Sequence, residues 1–200
     1  LIDPVRFVGN FSTGKMGYEI AKAFAEAGAD VTLVSGPTAL EDPEGIKTIR
    51  IRSAAEMYEA CRKLFPSAEI TVLAAAVADY TPKNPAEQKI KKSDASFSLD
   101  LIKTVDIASE LGKLKKSGQI LAGFALETEH EVENARKKLA SKNLDFIILN
   151  SLNDKGAGFG HDTNKISIIG KDNKIKDFEL KSKKEAAADI VEALIEKLHA

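Results

Sequence analysis

The chain is poor in the residues that most often betray chemistry by themselves. Its 200 residues include one cysteine and three histidines, and no stretch is long and apolar enough to span a bilayer. A lone Cys61 excludes an internal disulfide framework and fits a reducing, cytoplasmic setting. His130, His161 and His199 are widely scattered, so they offer no structural zinc site, and any other metal ligands stay unknown. No signal peptide is visible, and a net charge of −1 supplies no field for nucleic acid or an anionic membrane. No nucleophile stands out: there is no G-x-S-x-G elbow, no pair of carboxylates is singled out by spacing, and Cys61 falls on the apolar face of an expected helix. The G-x-G-x-x-G fingerprint is missing, and "VTLVSG" closes on Ser35 and Gly36 without an acidic residue, which counts against a nicotinamide enzyme.

What is present reads as one globular domain, residues 1–200, 44% apolar and 30% charged. "GKMGYEIAKAFAEAG" has helical apolar spacing and a glycine stop, and "DVTLVSG" follows as a strand. "GIKTIRI" is a second strand, and "SAAEMYEACRKLF" a helix capped by Ser53. The continuous run "AEITVLAAAVADY" predicts a central parallel strand buried on both faces. "QILAGFALET" and "LDFIILN" are further strands around the helix "HEVENARKKLASKN", and "VDIASELGKLKK" is another helix. The alternation predicts a doubly wound, Rossmann-like three-layer α/β sandwich, with ligands outside the carboxyl ends of its strands. Near the C-terminus "NKISIIG" and "KIKDFEL" flank Lys171–Asn173, so a hairpin-like element is expected over about 164–181, before a final helix. Ile166, Ile168 and Ile169 are more than a two-stranded ribbon can bury alone, so it is expected to serve as a dimerisation element, the alternative being a local extension of the main sheet.

Three polar features lie at those strand ends. "GNFSTGKMG", Gly9 to Gly17, nearly matches G-x-x-x-x-G-K-[ST], but Met16 replaces the metal-binding hydroxyl. Ser12, Thr13 and Gly14 then mark an anion-binding helix start, or an ordinary hydroxyl cap beside a solvated Lys15. "QKIKKSD" places Lys89, Lys91 and Lys92 on a Pro-flanked loop, able to close over phosphates or simply solvated. Asp79 follows the small residues Ala74, Ala75 and Ala76, where a carboxylate can accept from ligand hydroxyls or close a turn.

Together "DPVRFVGNFSTGKMG", "VTLVSGPT", "AAVADY", "KIKK", "GFALET", "KNLDFIILN" and "FGHDTNKISII" follow the order seen in phosphopantothenate–cysteine ligases, the ligase domains of the bacterial bifunctional coenzyme A biosynthesis proteins. The resemblance covers Asp3 to at least Ile169. It implies that 4′-phosphopantothenate is joined to L-cysteine through an acyl-cytidylate, with CTP consumed as co-substrate, Mg²⁺ as cofactor, and pyrophosphate and CMP released. It further implies that Asn10 holds the acyl group, that Arg6 grips phosphopantothenate across a homodimer interface, and that Lys89 assists acyl transfer to the nucleotide. Ser12, Gly14, Ala74, Ala75 and Asp79 would contact the nucleotide, with Ala75, Ala76 and Asp79 also on the substrate side. Val105, Asp106, Ile107, Ala108, Phe124, Lys138 and Lys142 resemble the cytidine site, although "KTVDI" departs from the usual K-N-P-D-I.

The resemblance also places a strand and a Gly-Gly-Thr turn before the first residue, and in many bacteria a flavin (FMN) decarboxylase domain ahead of that. A chain opening at Leu1 without methionine is therefore expected to be a fragment. The competing readings are a Rossmann oxidoreductase and a non-catalytic assembly module. Nicotinamide binding would favour the first, and absence of pyrophosphate release the second.

Overall fold

The computed structural model describes residues 1–91, 97–151 and 160–200. Its frame is a five-stranded mixed sheet. Strands β3 (Ile70–Leu73), β6 (Ile120–Glu127) and β7 (Phe146–Ser151) run parallel, β9 (Ile166–Gly170) pairs antiparallel with β7, and β10 (Ile175–Asp177) pairs antiparallel with β9. A separate parallel pair, β1 (Thr32–Ser35) and β2 (Lys47–Arg50), lies outside that ladder. Two short antiparallel ribbons complete the strands: β4 (Tyr80–Pro82) with β5 (Leu101–Lys103), and β8 (Thr163–Asn164) with β11 (Lys181–Ser182).

Alternation along the strands divides the core into two layers. Leu121, Ala125, Ile147, Leu149 and Ile169 face one side, against Met57 of α2 (Ala54–Leu64), Leu111 of α3 (Ile107–Leu114) and Leu139 of α4 (Glu131–Ser141). Ile120, Ala122, Ile148 and Ile168 face the other, against Ile20 of α1 (Lys15–Glu26) and Ala187, Ile190 and Leu194 of α5 (Lys183–Leu198). The three-layer α/β arrangement is thus present, in mixed rather than wholly parallel form. No helix among the described residues is long and apolar enough to cross a membrane.

Helix ends follow local chemistry. Ser53 accepts from the Glu56 N–H at the start of α2, and Ser182 and Glu185 form a reciprocal capping box at α5. At the end of α1, Gly28 has a φ of 88°, a left-handed stop open to glycine at no steric cost.

Two expectations need correction. The run around Ile70 is not a central strand buried on both faces. β3 spans only Ile70–Leu73, is half-buried, and pairs with β6 on one side only among the described residues. From Ala74 the chain leaves the sheet, so its small residues serve the strand mouth. The C-terminal hairpin does form, but Ile166, Ile168 and Ile169 are buried within the chain because β9 pairs with β7. Those isoleucines therefore need no second subunit to cover them.

Candidate active site

Parallel strands place their carboxyl ends on one edge, and a cleft opens there. It is lined by Ser12–Gly17, by Leu73 at the end of β3 and Ala74 to Ala76 beyond it, by Phe124 to Leu126 of β6, by Asn150, and by Asn164 and Lys183. A larger hollow of about 370 Å³, against about 150 Å³ for the cleft, lies at the start of α4. Glu131, Asp177 and Glu179 line it, and none of the expected site residues does. Size alone does not select the site. Chemistry does.

The glycine turn has an unusual helix start. Gly14 occupies the N-cap with a φ of 83°, and no side chain caps α1. Ser12 and Thr13 hydroxyls lie 3.4 and 3.5 Å from the Gly14 and Lys15 nitrogens, too far for strong bonds. No acidic residue occupies the first turn. An ordinary hydroxyl cap is therefore not what these residues build, and the first N–H groups of α1 face the cleft end without a side-chain cap. Lys15 is not simply solvated either: its Nζ donates to Asp162 Oδ1 at 2.6 Å. A Cβ at Gly17 would lie 3.5 Å from that of Ala74, so Ala74 also has a packing role beneath α1.

Asn10 reaches the same edge. Its Nδ2 donates to the Ala76 carbonyl at 2.5 Å, fixing the amide over the alanine run. Arg6 is held elsewhere in the segment. The buried Asp3 carboxylate accepts from Arg6 Nε at 3.0 Å and from its Nη2, and from the backbone N–H groups of Val5, Arg6 and Ile90. Arg6 Nη2 also donates to the Ile90 carbonyl, and the Ala86 N–H to the Ile2 carbonyl. Arg6 and the loop carrying exposed Lys89 are thereby tied together through Asp3. The Arg6 guanidinium, against the opposing effect of burial, holds the Asp3 carboxyl well below the usual carboxylate range. Lys92 lies outside the described residues.

A third group gathers at α3 and α4. Asp106 caps α3 by accepting from the Ser109 N–H, and its carboxylate pairs with Lys142 at 3.0 Å. Burial pushes the Asp106 carboxyl up, but the Ser109 N–H and Lys142 outweigh it and hold it down. One turn earlier on α4, Lys138 pairs with Glu127 at 2.5 Å. Val105 is exposed and Ala108 half-buried, whereas the Ile107 side chain is core, leaving only its backbone for a ligand. The variant "KTVDI" has a local account: Thr104 donates its hydroxyl to the Ala78 carbonyl and its N–H to the Asp79 carbonyl, joining the α3 entry to the β3 exit.

The expected residues thus fall into three neighbouring groups. Ser12, Gly14, Ala74, Ala75, Ala76 and Phe124 share the cleft, with Asn10 bonded to Ala76. Arg6 and Lys89 belong to the Asp3 knot, and Asp106, Lys138 and Lys142 to a set of ion pairs. Sequence reasoning missed Asp3, Asp162, Asn164 and Lys183. The capping box at Ser182 was the available signal for Lys183, since it fixes where α5 begins.

The family model for the DNA/pantothenate metabolism flavoprotein C-terminal domain matches residues 1–198. A protein named cysteine/cysteine sulfinic acid decarboxylase, from an unknown prokaryotic organism, is 53% identical over 99% of this chain and 55% of its own length. The coenzyme A biosynthesis bifunctional protein CoaBC of Bacillus subtilis strain 168 is 47% identical over 96% of this chain and 48% of its own. The chain therefore spans about half the length of the curated relatives it matches. The crystal structure of a CoaBC C-terminal domain superposes with a TM-score of 0.82 at 41% identity, covering 99% of this chain and 91% of that one. A match over nearly every residue, in sequence and in three dimensions, means that this chain belongs to the DNA/pantothenate metabolism flavoprotein C-terminal domain family.

Proposed function

We propose that the chain is the CTP-dependent ligase that joins 4′-phosphopantothenate to L-cysteine in coenzyme A biosynthesis. The observation that carries this reading is the cleft: an uncapped helix start and a strand mouth of alanines meet there beside a fixed Asn10 amide, and its described lining includes no Cys or His to serve as nucleophile or base. Such a site suits alignment and charge neutralisation rather than covalent catalysis.

In the first half-reaction a phosphopantothenate carboxylate oxygen attacks the α-phosphorus of CTP. The bond to pyrophosphate breaks, and an acyl-cytidylate forms. In the second, the cysteine nitrogen attacks the acyl carbon, the bond to CMP breaks, and the amine gives up a proton. Ser12 and Gly14 receive the phosphates at the helix start, with Ala74, Ala75 and Asp79 flanking them. Asn10, fixed on Ala76, holds the acyl carbonyl. Arg6 grips phosphopantothenate, and Lys89 neutralises charge developing on the triphosphate. Phe124, Lys138, Lys142 and residues 105–108 form the cytidine pocket. Lysine donors match the carbonyl oxygen and ring nitrogen of cytosine and gain little from the amine of adenine.

Among the described residues no three His, Cys, Asp or Glu side chains converge on a metal site. Mg²⁺ would arrive on the triphosphate, where it neutralises charge, and no protein cage is assigned to it. The exposed Val5, Phe7, Val8 and Phe11 supply an apolar surface that supports a homodimer, placed beside Arg6 rather than on the hairpin. The setting is cytoplasmic. Phosphopantothenate-dependent pyrophosphate release, measured with CTP and ATP side by side, tests the assignment. Release with CTP well above that with ATP is expected, and equal release would reject the cytidine pocket.

A further inference from the structure

A side-chain amide has a donor end and an acceptor end, and whichever end the protein engages decides which one is left for a ligand. Asn150, near the end of β7, lines the cleft together with Met16 and Asn164. Asn164 is 1% exposed, and its Nδ2 donates to Met16 Sδ at 3.8 Å and to Asn150 Oδ1 at 3.2 Å. A thioether accepts and cannot donate, so Met16 holds the NH2 end of Asn164 toward α1 and β7. Asn150 must then offer its Oδ1 to Asn164, which leaves its own Nδ2 as the outward end. No hydrogen bond among the described residues uses that Nδ2, and it is not one of their buried, unpartnered side-chain atoms, so it opens to solvent where Asn150 lines the cleft. Met16, the residue that breaks the G-x-x-x-x-G-K-[ST] pattern, thereby has a use that a hydroxyl would not serve: a hydroxyl can donate as well as accept and would not fix the amide's direction.

We infer that Asn150 donates through Nδ2 to the amide carbonyl in the uncharged middle of phosphopantothenate, and that Asn164 and Met16 are the positioning residues that turn its amide that way. The identity of the ligand rests on the ligase reading. Phosphopantothenate is charged at both ends, and between them it carries two methyl groups, a hydroxyl and an amide. The cleft beside Asn150 matches that middle, because Leu73, Ala74, Ala125 and Leu126 supply apolar surface around one neutral donor. A carbonyl only accepts, so it complements a donor whose direction is fixed better than a hydroxyl does. The nucleobase is the poorer candidate, since Asp106, Lys138 and Lys142 do not line this cleft. The contact is remote from the reacting carboxylate and persists through both half-reactions. It therefore contributes to binding and leaves the chemical step alone.

Calorimetric titration of the whole chain with phosphopantothenate and with CTP, together with steady-state kinetics, tests this. Asn150→Ala should weaken phosphopantothenate by about five- to tenfold, the loss of one neutral hydrogen bond, and leave CTP binding unchanged. The KM for phosphopantothenate should rise by the same factor at constant kcat, the mark of a contact made equally in ground and transition states. Asn164→Asp keeps the size of the side chain but removes the donor, so the Asn150 amide turns its NH2 inward. It should reproduce the Asn150→Ala loss, and the double variant should lose no more than either single one. A merely structural role for Asn164 would make the losses add and would weaken CTP as well. Met16→Leu, which removes the acceptor and keeps the volume, should give a smaller loss of the same kind. Undiminished phosphopantothenate binding in Asn150→Ala would overturn the inference and leave the ligase reading standing, as would a loss confined to CTP. Additive losses in the double variant would overturn the positioning role of Asn164. If phosphopantothenate binds through Asn150 but no amide is ever made from CTP, phosphopantothenate and cysteine, the ligase reading fails and the contact stands.

Discussion

Replacing Gly112 by alanine should destabilise the protein and weaken nucleotide binding together. Gly112 lies within α3, where intrinsic propensity alone would favour alanine by about 1 kcal/mol. The structure predicts the opposite sign. A Cβ at this position would lie 2.9 Å from the Lys142 carbonyl carbon, closer still to its oxygen, and 3.4 Å from the Asn143 Cβ. Those first two atoms are backbone, at the end of α4, and cannot rotate away. The two helices must separate, at a cost of about 1–3 kcal/mol for an overpacked contact. The Asn143 Nδ2 bond to the Gly112 carbonyl, 2.9 Å long, is then stretched, for about 1 kcal/mol more. After the propensity gain, a net loss of about 2 kcal/mol remains, or roughly 4–8 °C in Tm for a chain of this size. The same displacement moves Lys142 from Asp106, so CTP should bind several-fold more weakly while phosphopantothenate is unaffected. Thermal unfolding by circular dichroism and calorimetric titration read the two effects. An unchanged or raised Tm would refute the reasoning, because it would show that α3 and α4 accommodate the methyl group freely.

Lys89→Gln should suppress pyrophosphate release by about a hundredfold, the scale of one lost charge-stabilising donor, and near-normal release would remove Lys89 from the mechanism. Asn10→Asp should still form some acyl-cytidylate but fail to pass it to cysteine, and wild-type amide formation would make Asn10 a loop residue. Asp3→Asn should raise the KM for phosphopantothenate, because Arg6 and the Lys89 loop lose their shared anchor, and an unchanged KM would deny the coupling. Since the Asp3 carboxyl is depressed in the folded state, its stabilisation is complete above the unfolded carboxylate range and disappears as pH falls further toward the folded value. Acid unfolding of Asp3→Asn should accordingly show a flatter dependence below about pH 4 than wild type. Phe7→Asp should convert a homodimer to monomers by light scattering, and a wild type already monomeric at micromolar concentration would dismiss the dimer and with it Arg6 acting across the interface.

Much of the fold was legible because its signals are local. The periodicities of α1 and α5, the Ser53 cap and the turn at Lys171–Asn173 are each set within a few residues, and all appear as expected. The cleft was legible through topology, since parallel strands must present Ala74–Ala76 and Phe124 on one edge. What escaped depends on long-range meetings. Asp3 is one acidic residue before a proline until the backbone of Ile90, 87 residues away, arrives above it. Lys183 belongs to the polar part of an amphipathic helix until the ribbon at Thr163–Asn164 covers it. The mistaken centrality of β3 has a similar origin: an apolar run reports burial of a strand's faces and says nothing about how many neighbours it has.

The central claim is that phosphopantothenate carboxylate attacks the α-phosphorus of CTP in this cleft. Phosphopantothenate labelled with oxygen-18 in its carboxylate, turned over with CTP and cysteine, tests it most directly. Mass spectrometry should find the label transferred to CMP, one oxygen per amide formed, with none in pyrophosphate. Label in pyrophosphate or inorganic phosphate, or amide formed with no label in CMP, would contradict the account.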